Sequence, residues 1–222
     1  MTNQELFDKY TVSAHVDWNS LCENEQLSEN FIIEFADLVD WYKISQYQTL
    51  SEDFIRKYAD RVNWYWISHS QKLSENFIRE FVDRVNWYWI AYRRLLSEDF
   101  IRKYADLVDW YYICYQTLSE DFIREFADRV DWDCISRNQK LSEDFIREFA
   151  DRVVWDYISY RQKLSEGFIR EFADRVNWHC ISKYQTLSED FIRKFKGHVD
   201  WRWISQYPYL SDEFRKEFKD KL

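Results

Sequence analysis

Glycine and proline are nearly missing from this chain, with two glycines and one proline in 222 residues. Ordinary usage would supply roughly fifteen and eleven. Turns with positive φ lean on glycine and many tight turns on proline. An all-β sandwich or barrel is therefore excluded, and so are glycine-rich phosphate loops. No apolar run approaches the ~20 residues of a bilayer span, so no membrane partner is expected. The opening Met-Thr-Asn-Gln-Glu lacks the basic and apolar stretches of a signal peptide. The four cysteines, Cys22, Cys114, Cys134 and Cys180, form no C-x-x-C pair. A chain of this size does not depend on disulfides, so reduced thiols and a cytoplasmic location are expected. A basic excess is missing too: 40 acids against 31 bases leave a net charge of −9. That balance disfavours a nucleic-acid partner.

What the chain has in quantity is aromatic and charged residues. Twelve Trp, 16 Tyr and 17 Phe accompany a 32% charged fraction, which excludes a disordered tail. Nine tryptophans, at 18, 41, 64, 87, 110, 132, 155, 178 and 201, step by 23 residues except for 22 between Trp110 and Trp132. The unit reads L-S-E-D/N-F-I-R-E/K-F/Y-A-D-R/L-V-N/D-W-x-x-I-S-x-x-Q-T/K. Eight units fill residues 27–209, residues 1–26 are a degenerate N-terminal repeat or cap, and residues 210–222 repeat only the first half as a C-terminal capping helix. Atypical ends are expected of a stacked array.

Each unit predicts two short helices. Ser28, Ser51, Ser74 and their equivalents occupy an N-cap. The Glu that follows suits the helix dipole. The leucine before each serine can staple onto the isoleucine five residues on, as Leu50 onto Ile55. Phe54, Ile55, Tyr58 and Ala59 set an A helix of about nine residues. Asp60 or Asn63 starts a B helix, whose Trp64, Ile67, Ser68 and Gln71 share one face at offsets 0, 3, 4 and 7. Helices this short need neighbours. The fold class is all-α: an α-solenoid, a superhelical array of two-helix repeats of 23 residues. The short unit 96–117 predicts a kink or a tighter turn.

Glu52, Arg56 and Asp60 predict a self-paired ladder along the A helix. The repeated serine sits on the core face, and Ala91 or Cys22 replaces it elsewhere, which points to small size rather than nucleophilic chemistry. The repeated glutamine, as in Gln48 and Gln71, predicts a buried amide ladder. His15, His69, His179 and His198 occupy different positions of the unit, so they make no metal column. No catalytic or cofactor motif is present, so neither an enzyme nor a cofactor is expected.

Variation among the copies concentrates at offsets +1, +2, +5 and +6 from the repeated Trp, the side of the B helix away from its core face. Those positions hold Tyr42, Tyr65, Trp66, Tyr88, Trp89, Tyr111 and Tyr112, with Tyr92, Arg93 and Arg94 in the middle. Arg137, Tyr157, Arg161 and Trp203 follow in the second half. Tyr, Trp and Arg are enriched at binding hot spots, and an exposed aromatic row marks a partner. The alternative is that +1 and +2 pack sideways against adjacent units.

The pattern W-x-x-I-S-x-x-Q/P-x-L-S-x-x-F, clearest in Trp201-Arg-Trp-Ile-Ser-Gln-Tyr-Pro-Tyr-Leu-Ser, resembles short tandem helical repeats of large DNA viruses and phage-related proteins. The likeness covers nearly the whole chain and implies a viral origin and a helical array; it carries no catalytic residue. The expected function is binding, and sequestration, of a host protein through the variable B-helix face. Nucleic-acid binding by base stacking, or acidic mimicry of nucleic acid, is the alternative. A nucleotide-like small ligand is the weaker one.

Overall fold

The computed structural model describes residues 3–12, 15–93 and 95–221. Among them lie nineteen helices. After Asn3–Tyr10 the order alternates strictly. B helices start at the repeated Trp, as Trp18–Asn24, Trp41–Tyr47, Trp64–Ser70 and Trp87–Arg93. A helices start at the repeated acid, as Glu29–Glu34, Glu52–Lys57, Glu75–Glu80 and Glu98–Lys103. The pattern runs on to the B helix Trp201–Ile204 and the A helix Asp212–Glu217. The protein is an α-solenoid. One departure lies at its start: Thr11–Val12 pairs antiparallel with His15–Val16, so the degenerate first unit holds a two-residue ladder. The chain forms two compact units, residues 1–109 and 110–222.

Local chemistry explains the helix ends. Every A helix is capped by its serine; Ser51 Oγ accepts the Phe54 N–H at 3.1 Å. The A helix is six residues long rather than nine, because its cap Tyr58 turns to φ −115°, ψ 29°. Tyr58 O then accepts the N–H groups of Arg61 and Val62 at 2.9 and 3.1 Å. Asn63, not Asp60, caps the B helix by accepting the Trp66 N–H at 3.2 Å. The B helix ends at Gln71 with φ −88°, ψ 151°. Neither helix therefore leaves through the left-handed region that favours glycine, which is the reason the chain needs so little of it.

Within each compact unit neighbouring B helices pack directly on one another, as Trp41–Tyr47 on Trp64–Ser70 and Trp155–Arg161 on Trp178–Tyr184. Phe54, Ile55 and Ile67 are almost wholly buried, each contributing about 1.5–3 kcal/mol by burial. The frame indoles are satisfied: Trp64 Nε1 donates to Ala59 O at 2.9 Å and Trp155 Nε1 to Ala150 O at 3.0 Å.

Within each compact unit polar side chains tie neighbouring repeats together. Gln71 Oε1 accepts the Leu50 N–H at 3.0 Å, and Gln71 Nε2 donates to Gln48 O at 2.8 Å. The amide ladder thus runs through main-chain groups of the preceding linker. The repeated serine does more than stay small. Ser68 Oγ donates to Trp64 O at 2.8 Å and accepts the Asn86 N–H at 2.8 Å. Glu52 reaches forward to take Ser74 N at 2.5 Å and Ser74 Oγ at 3.1 Å.

The Glu52–Arg56–Asp60 ladder is rewired. Arg56 holds Asp53 at 2.8 Å and Glu52 at 3.5 Å, then reaches Glu80 of the next repeat at 2.7 Å. Asp60 pairs with Arg84 of the next repeat at 2.7 Å. Asp60 lies beyond the helix end at Lys57, so it leaves the Arg56 face and the stack presents Arg84 to it instead.

The short unit absorbs its missing residue at a helix end. The B helix Trp110–Ile113 stops after four residues. Tyr115 and Gln116 close it with i,i+3 bonds at 3.2 and 3.3 Å, the tighter turn that the spacing predicts. The expectation of four free thiols does not hold: Cys114 and Cys134 form a disulfide, with Cα atoms 5.9 Å apart. Cys114 stands at the repeated serine position and Cys134 at offset +2 of the following B helix. The register of the stack brings those two positions together.

Candidate functional site

Offset +1 faces outward. Tyr42, Tyr65 and Tyr88 are 49%, 46% and 43% exposed, and Tyr92 at offset +5 is 55% exposed. Arg93 is exposed as well, whereas Arg94 lies outside the described residues. Offset +2 behaves differently. Trp66, Trp89, Tyr112, Tyr157 and Trp203 are only half-buried to partly exposed, although the helical wheel puts +2 furthest from the core face. The +2 rings of Trp89, Tyr157 and Trp203 each reach the +5 residue of the preceding repeat, which covers them. Trp89 meets His69 at 4.3 Å with the rings perpendicular, and Tyr157 lies under the Arg137 guanidinium at 4.7 Å. Sideways packing, the alternative reading of this face, therefore covers the +2 rings more fully than the +1 tyrosines, which stay about half exposed.

In residues 1–109 these side chains make one continuous wall. Tyr42 abuts Trp66 at 5.9 Å, and Tyr65 touches both Trp66 at 5.1 Å and Trp89 at 5.9 Å. Trp89 then meets Tyr88 at 4.8 Å and Tyr92 at 5.7 Å. All five contacts are edge-to-face, the geometry that ring quadrupoles prefer. The indole N–H groups of Trp66 and Trp89 are buried and find no acceptor among the described residues, and the same is true of Trp203. A buried donor without a partner costs about 1–3 kcal/mol. The +2 indoles thus serve as apolar ballast behind a surface row of tyrosines. Burial, with Arg93 nearby, lowers the His69 pKa from its ordinary 6.5.

The second unit carries a more charged version. Tyr111 is 51% exposed and meets Tyr112 at 5.0 Å. Arg137 is salt-bridged to Asp133 at 2.5 Å. Arg161 stacks over Tyr160 at 4.7 Å, and Tyr160 meets Tyr184 at 4.7 Å. Lys183 lies 4.3 Å over Trp203. Tyr115, Tyr160 and Tyr184 belong to this face through their +5 and +6 offsets, and the sequence reading did not single them out. Their signal was the position, which varies freely, rather than a repeated letter.

The four histidines do not converge; His179 bonds Asp200 at 2.8 Å, and His198 stacks on Trp178 at 5.1 Å. Among the described residues no three His, Cys, Asp or Glu side chains cluster as a metal site, and no helix is long and apolar enough to cross a membrane. The repeated serines Ser45, Ser68, Ser136, Ser159 and Ser182 each accept an N–H of the next repeat, which engages them in the joints. No family model, curated protein or solved structure matches the chain.

Proposed function

We propose that this protein is a non-enzymatic binding scaffold that engages another protein through the outward face of its B helices. The observation that carries the reading is the wall formed by Tyr42, Tyr65, Trp66, Tyr88, Trp89 and Tyr92, whose tyrosines stay about half exposed while their rings interlock. Interlocked rings are rigid, so they lose little entropy when a partner covers them. A fixed frame that carries a variable face suits recognition. The likeness to viral tandem repeats extends the reading to capture of a host protein. The Cys114–Cys134 bond fits an oxidising compartment better than a reducing cytosol.

The test compares capture of partners by the wild-type chain and by a Tyr65→Ala/Tyr88→Ala/Tyr92→Ala variant with an unchanged melting profile. Loss of the same partners from the variant supports the reading; an identical partner set removes this face from it. Nucleic-acid binding is the second reading, favoured by the exposed tyrosines and by the Arg161–Tyr160 stack, which offer faces for bases. It predicts affinity that falls steeply with salt. No binding of single-stranded oligonucleotide at low salt removes it.

A further inference from the structure

A cleft of about 210 Å3 opens at the C-terminal end of the B helix Trp64–Ser70, lined by His69, Ser70, Gln71, Lys72 and Arg93. Its lining is mostly polar and contains two permanent cations and no carboxylate. Arg93 Nη1 donates to His69 O at 2.8 Å, which anchors the guanidinium at the rim. Neither Lys72 nor Arg93 bonds a carboxylate among the described residues. Arg56, Arg124, Arg147 and Arg193, on the A helices, each hold a carboxylate of the next repeat. Gln71 is already committed to Leu50 N and Gln48 O. The Ser70 hydroxyl already lies 3.0 Å from His69 Nδ1. The groups left to meet a ligand are the Lys72 ammonium and the remaining guanidinium N–H groups of Arg93. His69 forms the boundary between this cleft and the aromatic wall, since its ring lies against both Trp66 at 5.2 Å and Trp89 at 4.3 Å.

We propose that this cleft takes the carboxylate of an Asp or Glu side chain from a bound peptide segment whose apolar residues lie on the Tyr65–Tyr88–Tyr92 wall. The proposal rests on the protein-binding reading and names the kind of partner. Two cations facing an opening with no acid of its own attract a single negative charge. The wall adjoins the cleft through His69 and offers apolar and edge-to-face contacts to neighbouring residues of the same segment. A phosphodiester strand fits less well. It would bring a charge with every nucleotide against a molecule of net charge −9.

The test pans a phage-displayed library of random twelve-residue peptides on the full chain. Affinities of the selected peptides are then measured by fluorescence anisotropy. The expected peptides carry Asp or Glu within three positions of an aromatic or aliphatic residue. Replacing that acid by its amide, or using a Lys72→Ala/Arg93→Gln chain, weakens binding tenfold or more, and both changes together weaken it little further. A Lys72→Glu/Arg93→Glu chain selects Lys- or Arg-bearing peptides instead, which shows that the variants still fold and bind. Peptides lost on Tyr65→Ala/Tyr88→Ala but held within twofold on Lys72→Ala/Arg93→Gln overturn the cleft and leave the wall standing. Selection of no peptide by the wild-type chain overturns both. Binding of a twelve-residue oligothymidylate with the same dependence on Lys72 and Arg93, without acidic peptides, makes the cleft a phosphate site and also overturns the proposal.

Discussion

Ser136 and Val154 are joined across a repeat boundary: Ser136 Oγ accepts the Val154 N–H at 2.9 Å while donating to Trp132 O at 2.6 Å. The hydroxyl is fully buried and no other side chain takes over either bond. Ser136→Ala leaves a buried amide without an acceptor, and we expect a loss of about 1–3 kcal/mol. Urea unfolding of the variant, with an unchanged slope, measures it. An effect below about 0.5 kcal/mol would reduce the serine to a small spacer.

Val154 itself marks a defect. It occupies an N-cap where other units have Asp or Asn, and the helix Trp155–Arg161 has no side-chain cap bond. In the next unit Asn177 accepts the Cys180 N–H at 3.1 Å. Val154→Asn should restore that bond and stabilise the protein by about 0.5–2 kcal/mol. A raised thermal midpoint is the expected readout; a lowered one would mean that the valine packs in a way the cap cannot offset.

The exposed and half-buried aromatics should separate binding from stability. Tyr65→Ala and Tyr88→Ala truncate rings already half in water and should cost little stability. Trp66→Ala and Trp89→Ala empty the layer behind them and should cost more, about 1.5–3 kcal/mol. Thermal melts of the four single variants decide it. Equal losses at tyrosine and tryptophan would make the whole face structural.

Reduction should weaken the second unit. The Cys114–Cys134 bond closes a 20-residue separation, and loops of this size are worth about 2–4 kcal/mol when cross-linked. Wild-type protein should unfold at lower urea in the presence of dithiothreitol, whereas a Cys114→Ala/Cys134→Ala variant should not respond. Four reactive thiols in the denatured, unreduced protein would show that the bond does not form.

Acid should loosen the last joint. Glu189 has its pKa lowered from the ordinary 4.5, first by the Ser211 N–H, against opposing desolvation, and further by the Ser211 hydroxyl and Arg193. A lowered pKa in the folded state gives stability that is present above about pH 4.5 and lost as the pH falls through the lowered value. Glu189→Gln should flatten that part of the acid-unfolding curve. An unchanged curve would assign the loss to other carboxylates.

The sequence discloses whatever is local. The Trp period, the serine caps and the boundaries of the short unit follow from letters a few residues apart, because capping and helical faces act over three or four positions. Asp60 looked like a partner for Arg56 and chose Arg84. Cys114 and Cys134 form no C-x-x-C pair and stand 20 residues apart, so no local spacing joins them. Trp66 looked outward because a wheel drawn for one helix contains no neighbouring helix. Each of these depends on the stagger between adjacent units, which no single repeat encodes.

The joint bonds have one further consequence. Leu50 to Gln71, Gln48 to Gln71, Glu52 to Ser74 and Ser68 to Asn86 all link a residue to one a fixed distance along the chain, 21, 23, 22 and 18 positions away. Nothing in that wiring refers to the total number of units. Excising or duplicating one 23-residue segment leaves each donor facing an equivalent acceptor, so copy number is a quantity that gene recombination can change without redesigning the interior. The number of outward-facing B helices can then change in steps of one repeat.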